Sequence, residues 1–179
     1  MNTTLKAKLI EMNVSGITVD PFTNAPIVIL KGVEDNSVAL PIWIGALEAG
    51  AIAAEMEGVK FTRPMTHDLI KTLMGKTGAA VKRIEIFDLI DNVYYANIFV
   101  KDSNGASHCI DSRPSDAIAI ALRTDASIFV SLDVIEKTGD IEQGKSRQPC
   151  VKECEGAASE SLLEMLEDLS PEAFGKYKM

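Results

Sequence analysis

Apolar and polar residues alternate along much of the first forty-five positions, the period-two signature of strands with one face buried. Residues 5–19 read as one long or broken strand. Asp20-Pro21-Phe22-Thr23-Asn24 is turn chemistry that leads into a strand at 27–30, and after the polar Glu34-Asp35-Asn36 a third strand runs over 37–44. Gly45 hands over to the Ala-rich 46–56, a predicted helix that Gly58 ends, and a second helix is predicted from Thr66 to about Gly75. Alternation returns at 81–90 and 94–101 around a turn at Asp91-Asn92, then near 106–111 after the turn Asp102-Ser103-Asn104-Gly105. Pro114 suits the first position of a helix reaching about Arg123, and a short strand follows at 128–130.

Each half of this pattern is three strands and a helix. The helices align as Glu48-Ala49-Gly50-Ala51-Ile52-Ala53 against Asp116-Ala117-Ile118-Ala119-Ile120-Ala121. An ancestral duplication and simple convergence of Ala/Ile-rich helices both account for the match. The expected fold class is α+β: two β-β-β-α units sharing a mixed, mostly antiparallel sheet, plus a C-terminal helix. The domain occupies 1–137, a polar linker with Gly139 and Gly144 occupies 138–158, and 159–179 holds a helix and tail, with Leu162, Leu163, Leu166 and Leu169 along one stripe.

Composition narrows the function classes. The 179 residues are 46% hydrophobic and 25% charged, an ordinary globular balance for one core with an appendage. No apolar run approaches the roughly 20 residues that cross a bilayer, and the N-terminus does not have the build of a secretory leader, so a cytoplasmic protein is expected. Cys109, Cys150 and Cys154 are expected to stay reduced; the adjacent His108-Cys109 does not match zinc-ligand spacing. The net charge of −8 opposes simple electrostatic binding of nucleic acid, unless divalent ions on the carboxylates or a local arginine cluster reverse the field.

Several longer motifs then stand in order: Leu40-Pro41-Ile42-Trp43-Ile44-Gly45, Glu48-Ala49, Glu57-Gly58, Arg63-Pro64-Met65-Thr66-His67-Asp68, Asp88-Leu89, Tyr94-Tyr95-Ala96 and Asp111-Ser112-Arg113-Pro114-Ser115-Asp116-Ala117-Ile118-Ala119. In that order and spacing, over about residues 5–132, the chain resembles the bifunctional nuclease domain family, which has plant and bacterial members. The resemblance implies an α+β fold and hydrolysis of DNA and RNA phosphodiester bonds. It assigns no catalytic residues. Some family members carry a UvrB/UvrC-type coiled-coil motif after the domain, and here there is one short helix instead.

The residues themselves suggest where such chemistry would sit. Arg63-Pro64 and Arg113-Pro114-Ser115 each place an arginine at the start of a helix, where free N–H groups and a bidentate guanidinium suit phosphate, so Arg63, Arg113 and Ser115 are candidates for substrate binding. His67, Asp68 and Asp116 are candidates for proton handling. Asp111 and Glu48 are candidates for holding Mg²⁺ or Mn²⁺, the hard cations that phosphodiester hydrolysis commonly uses. Structural explanations stand beside these: Thr66 as a helix cap, Asp68 and Asp116 as first-turn acids that complement a helix dipole, Glu48 and Glu55 as a solvated face, and each arginine paired to an internal carboxylate. Tyr94 and Tyr95 fall on opposite faces of a strand, one for the core and one able to stack on a base, while Trp43 is expected to pack. The reading is a metal-dependent nuclease with little sequence preference, acting on nucleic acid despite the acidic isoelectric point. Its alternative is a non-catalytic regulatory module binding an anionic ligand or protein partner. A homo-oligomer, most simply a dimer, is expected with either.

Overall fold

The structure, a computed structural model, describes residues 8–142. Seven strands and four helices follow in the order β1 (Leu9–Val19), β2 (Pro26–Gly32), β3 (Ala39–Trp43), α1 (Ala46–Met56), α2 (Thr66–Thr77), β4 (Ala80–Ile90), β5 (Val93–Lys101), β6 (Ser107–Ser112), α3 (Pro114–Thr124), β7 (Ser127–Ser131) and α4 (Leu132–Glu142). All seven strands form one sheet in the order β3-β2-β1-β7-β4-β5-β6. Every pairing is antiparallel except β4 with β7. The α+β class and the two meander-plus-helix units sharing a mixed sheet are therefore as the sequence implies. The two meanders lie on either side of β7, their first strands innermost.

The alternation decides which face is buried. Met12, Val28, Leu30, Leu40, Ile42, Ile84, Ile86, Ala96, Ile98, Ile128 and Val130 share the face that packs against the helices. Central to that layer is α3, where Ala117, Ile118, Ala119, Ile120 and Ala121 are all buried. A helix apolar on every side is enclosed on every side, and here small alanines let the sheet on one side and α1 on the other approach closely. The sheet is also curled. Tyr94 on β5 donates its hydroxyl to the Pro41 carbonyl on β3 at 3.2 Å and lies 3.2 Å from Thr138 Oγ1 of α4, although four strands separate β3 from β5 in the sheet order.

Two elements differ from the sequence expectations. The strand over 5–19 begins, in the described residues, at Leu9 and is broken by a bulge between Val14 and Gly16. Helix α4 carries the chain through 138–142, where polar residues and Gly139 read as linker; Val134 and Thr138, one turn apart, are buried and hold it down. The stripe Leu162, Leu163, Leu166 and Leu169 and the tail lie outside the described residues. Among the described residues no helix is long and apolar enough to cross a membrane.

Candidate active site

The first turns of α1, α2 and α3 converge on one cluster of side chains. Arg113 is the N-cap residue of α3, extended at φ −68° and ψ 145°, with Pro114 as the first helical residue. From there its guanidinium makes a two-pronged bond to Asp116 in the first turn, Nε to Oδ2 at 2.7 Å and Nη2 to Oδ1 at 3.2 Å, while Nη1 reaches Glu48 Oε1 of α1 at 2.8 Å. His67, in the first turn of α2, sets Nε2 3.3 Å from Asp116 Oδ1 and is mostly enclosed, its side chain 13% exposed. Gly45 caps α1 at the point where Glu48 folds back, and a Cβ there would collide with the Glu48 carboxylate.

Charge in this cluster is nearly balanced. One guanidinium faces two carboxylates, a formal excess of one negative charge with His67 neutral. Partial positive charge at the helix N-termini, roughly half a unit each, offsets it. Burial opposes ionisation of Asp116, and the hydrogen bonds from Arg113 and His67 together with their charges outweigh it, so its carboxyl titrates below the ordinary aspartate value. Asp116, then Glu48, hold the Arg113 guanidinium firmly in its charged form.

Beside the cluster lies a cleft of about 270 Å³. Glu48, Arg113 and Ser115 are among its polar lining residues, and Trp43, Val93 and Tyr94 are among its apolar and aromatic ones. Four sequence candidates, Arg113, Asp116, Glu48 and His67, thus come together, and Ser115 joins them as a buried residue of the cleft wall.

The others do not. Asp68 turns away from the cluster toward the last turn of α3, where it accepts the Arg123 Nε–H at 2.6 Å, and it also accepts the Met65 backbone N–H at 2.9 Å. Arg123 first and the Met65 amide second hold its carboxyl below the usual range. Its surroundings are those of a helix-capping and bracing residue, and they leave Thr66 as the first helical residue with the N-cap at Met65. Asp111, on β6, pairs with Asn97 of β5 and shares its face, opposite to the buried Ala96 and the helices. Arg63 is an exposed loop residue, with no hydrogen bond or ion pair among the described residues. No group of three His, Cys, Asp or Glu able to hold a metal ion occurs among the described residues, so any cation at the cluster would rest on Glu48 and Asp116 with ligands from water or substrate.

Sequence reasoning missed two residues here. Trp43, expected to pack, is 48% exposed at the cleft, with its indole N–H donated to Asp20 Oδ2 at 3.0 Å. Its position at the end of β3, one residue beyond the buried Ile42, was the available signal. Arg123, only 3% exposed, bonds to Asp68, to the Ala119 carbonyl at 3.0 Å and to the Ala51 carbonyl at 3.0 Å, tying α1, α2 and α3 together. Its sequence position, in the last turn of a helix, gives no hint of that burial.

Residues 28–143 match the family model described as the bifunctional nuclease domain. The chain is 36% identical over 164 residues to an uncharacterized protein of Mycobacterium tuberculosis, covering 92% of this chain and 97% of that protein. It is 28% identical over 146 residues to bifunctional nuclease 1 of Arabidopsis thaliana, 79% of this chain but 45% of the plant protein. With bifunctional nuclease 2 of Oryza sativa subsp. japonica it shares 27% identity over 125 residues, 69% and 38% of the respective chains. The chain thus spans less than half the length of these plant relatives.

Proposed function

This chain belongs to the bifunctional nuclease domain family, and from that premise we propose that it hydrolyses phosphodiester bonds of DNA and RNA at the α3 N-terminus, assisted by Mg²⁺ or Mn²⁺. The observation that carries the reading is the meeting of Arg113, Asp116, Glu48 and His67 beside a cleft that Arg113 and Glu48 line. A phosphate entering there meets the two N–H bonds of the guanidinium that Asp116 and Glu48 leave unused, together with free amides of the α3 first turn. His67, with Nε2–H given to Asp116, keeps Nδ1 as the basic nitrogen able to take a proton from attacking water. Asp116 fixes that tautomer and stabilises the imidazolium that results.

The donor set suits a hard divalent cation. Mg²⁺ is commonly held by one or two carboxylates plus substrate phosphate, and Glu48 and Asp116 both present oxygens to the same guanidinium. When bound, such an ion supplies Lewis-acid stabilisation of the phosphoryl oxygens and acidifies bound water.

The test is cleavage of fluorescent single-stranded DNA and RNA by rigorously purified protein in magnesium, manganese or EDTA, beside folded Arg113→Ala and Asp116→Asn. Metal-dependent cleavage that falls at least a hundredfold in both variants is expected, the scale on which general acid–base groups contribute. Equal cleavage by all three proteins would refute this site. No cleavage by any would favour a regulatory module that binds an anionic ligand without turning it over.

A further inference from the structure

We infer that the cleft receives one nucleobase of an unpaired strand, stacked on the Trp43 indole beside Arg113. Single-stranded nucleic acid is then the substrate class. The inference rests on the nuclease reading for its functional meaning, and on the cleft alone for its chemistry.

Trp43 is the only tryptophan of the chain, and a large aromatic left half exposed in a cleft is a costly surface to leave in water unless something covers it. The ring is also held still. Its N–H is donated to Asp20 Oδ2, and the other oxygen of that carboxylate accepts the Phe22 N–H at 2.8 Å and the Thr23 N–H at 3.3 Å, so the β1–β2 turn anchors the indole from behind. A fixed ring loses little entropy when a ligand stacks on it. Val93 and Tyr94 line the same cleft as Trp43, and Arg113 and Glu48 contribute charged groups to that lining. An apolar slot bordered by a guanidinium matches a nucleotide, which joins a flat ring to a phosphate.

Size decides between paired and unpaired substrate. About 270 Å³ takes one base with part of its sugar and leaves no room for a base pair. A duplex would have to surrender a base from its stack, a cost that a free strand does not bear. Aromatic stacking tolerates every base, in keeping with weak sequence preference.

Because Trp43 stands alone, its emission is a direct reporter. The wild-type protein is titrated with adenosine 5′-monophosphate and, separately, with ribose 5-phosphate, exciting at the red edge of tryptophan absorption and correcting with N-acetyltryptophanamide for light absorbed by the base. Saturable quenching by the nucleotide alone is expected. Calorimetry with Trp43→Leu should show nucleotide affinity reduced about tenfold or more, with Trp43→Phe retaining most of it. Cleavage of a single strand should exceed that of a duplex of the same sequence at least tenfold. Equal quenching by both ligands, no quenching by either, or unchanged affinity in Trp43→Leu overturns the inference. Saturable quenching without cleavage of any substrate leaves base recognition standing and removes the nuclease reading. Cleavage with no quenching does the reverse.

Discussion

Replacing Arg123 with methionine removes the contact that orients α2, along with a longer ion pair, 3.8 Å, to Glu55 of α1 that the double-variant cycle subtracts. Methionine refills most of the aliphatic volume, so the lost terms are polar. Two of the three bonds matter little, because the Ala119 and Ala51 carbonyls lie inside helices and already accept from residues four further on. The remaining bond, Nε to Asp68 at 2.6 Å, is charge-assisted, and hydrogen bonds to charged groups contribute about 1.5–3 kcal/mol. Losing one partner of a fully buried pair costs about 3–5 kcal/mol. Asp68 is 33% exposed, so water recovers part of that, and we expect about 2–3 kcal/mol, on the order of a 5–10 °C fall in Tm. The assay is urea unfolding of wild type, Arg123→Met, Asp68→Asn and the double variant; asparagine keeps an acceptor for the Met65 N–H. The coupling energy should be about 1–2 kcal/mol. Since the Asp68 carboxyl titrates below its unfolded value, the pair stabilises the fold above the ordinary aspartate pKa of about 3.9 and loses that contribution as pH falls through the lower folded value. The Arg123→Met penalty should therefore shrink in acid. Coupling within about 0.5 kcal/mol of zero, or a penalty unchanged by acid, would refute this account.

Other substitutions separate positioning from stability. Gly45→Ala has ordinary φ and ψ but drives the Glu48 carboxylate aside, so unfolding should change by less than about 0.5 kcal/mol while metal-dependent cleavage falls. Gly78→Ala meets both a left-handed backbone at φ 73° and the Ser103 Cβ at 3.0 Å, and calorimetric unfolding should register a loss of about 1–2 kcal/mol. Tyr94→Phe removes the hydroxyl that links β5 to β3 and α4, for about 0.5–1.5 kcal/mol, with faster amide exchange expected in β3.

Local chemistry made most elements legible. Gly45, Gly58, Pro114 and the Asp20–Asn24 and Asp91-Asn92 turns mark boundaries that strands and helices respect within a residue or two. Helix α4 was hidden because Thr138 and Gly139 look like linker, and only packing of Val134 and Thr138 against the sheet reveals it. The candidate site was half legible for a similar reason. First-turn acids on α1 and α3 could be named from sequence, yet Asp116 and Asp68 occupy the same position in their helices and do different things. One meets Arg113 and His67, the other Arg123. Which arginine each meets depends on the rotation of α2 against α3, a tertiary quantity without a sequence period. Asp111, two residues from Arg113, illustrates the same gap, since a strand turns it to the opposite face of the sheet.

The placing of β7 bears on how the protein is made. Strands β1 and β4 do not pair with each other; each pairs with β7, so Leu9 finds its neighbour at Ser131. During synthesis the two meanders emerge early, each with an unpaired inner edge, and both edges wait until nearly the whole domain has left the ribosome. Exposed strand edges recruit other strands, so this is an interval of vulnerability built into the topology. A nascent chain halted before Ser127 holds two incomplete sheets with no strand pairing between them. Translation speed through the α3–β7 region, and not only the final stability, should then govern how much of the protein reaches its native form.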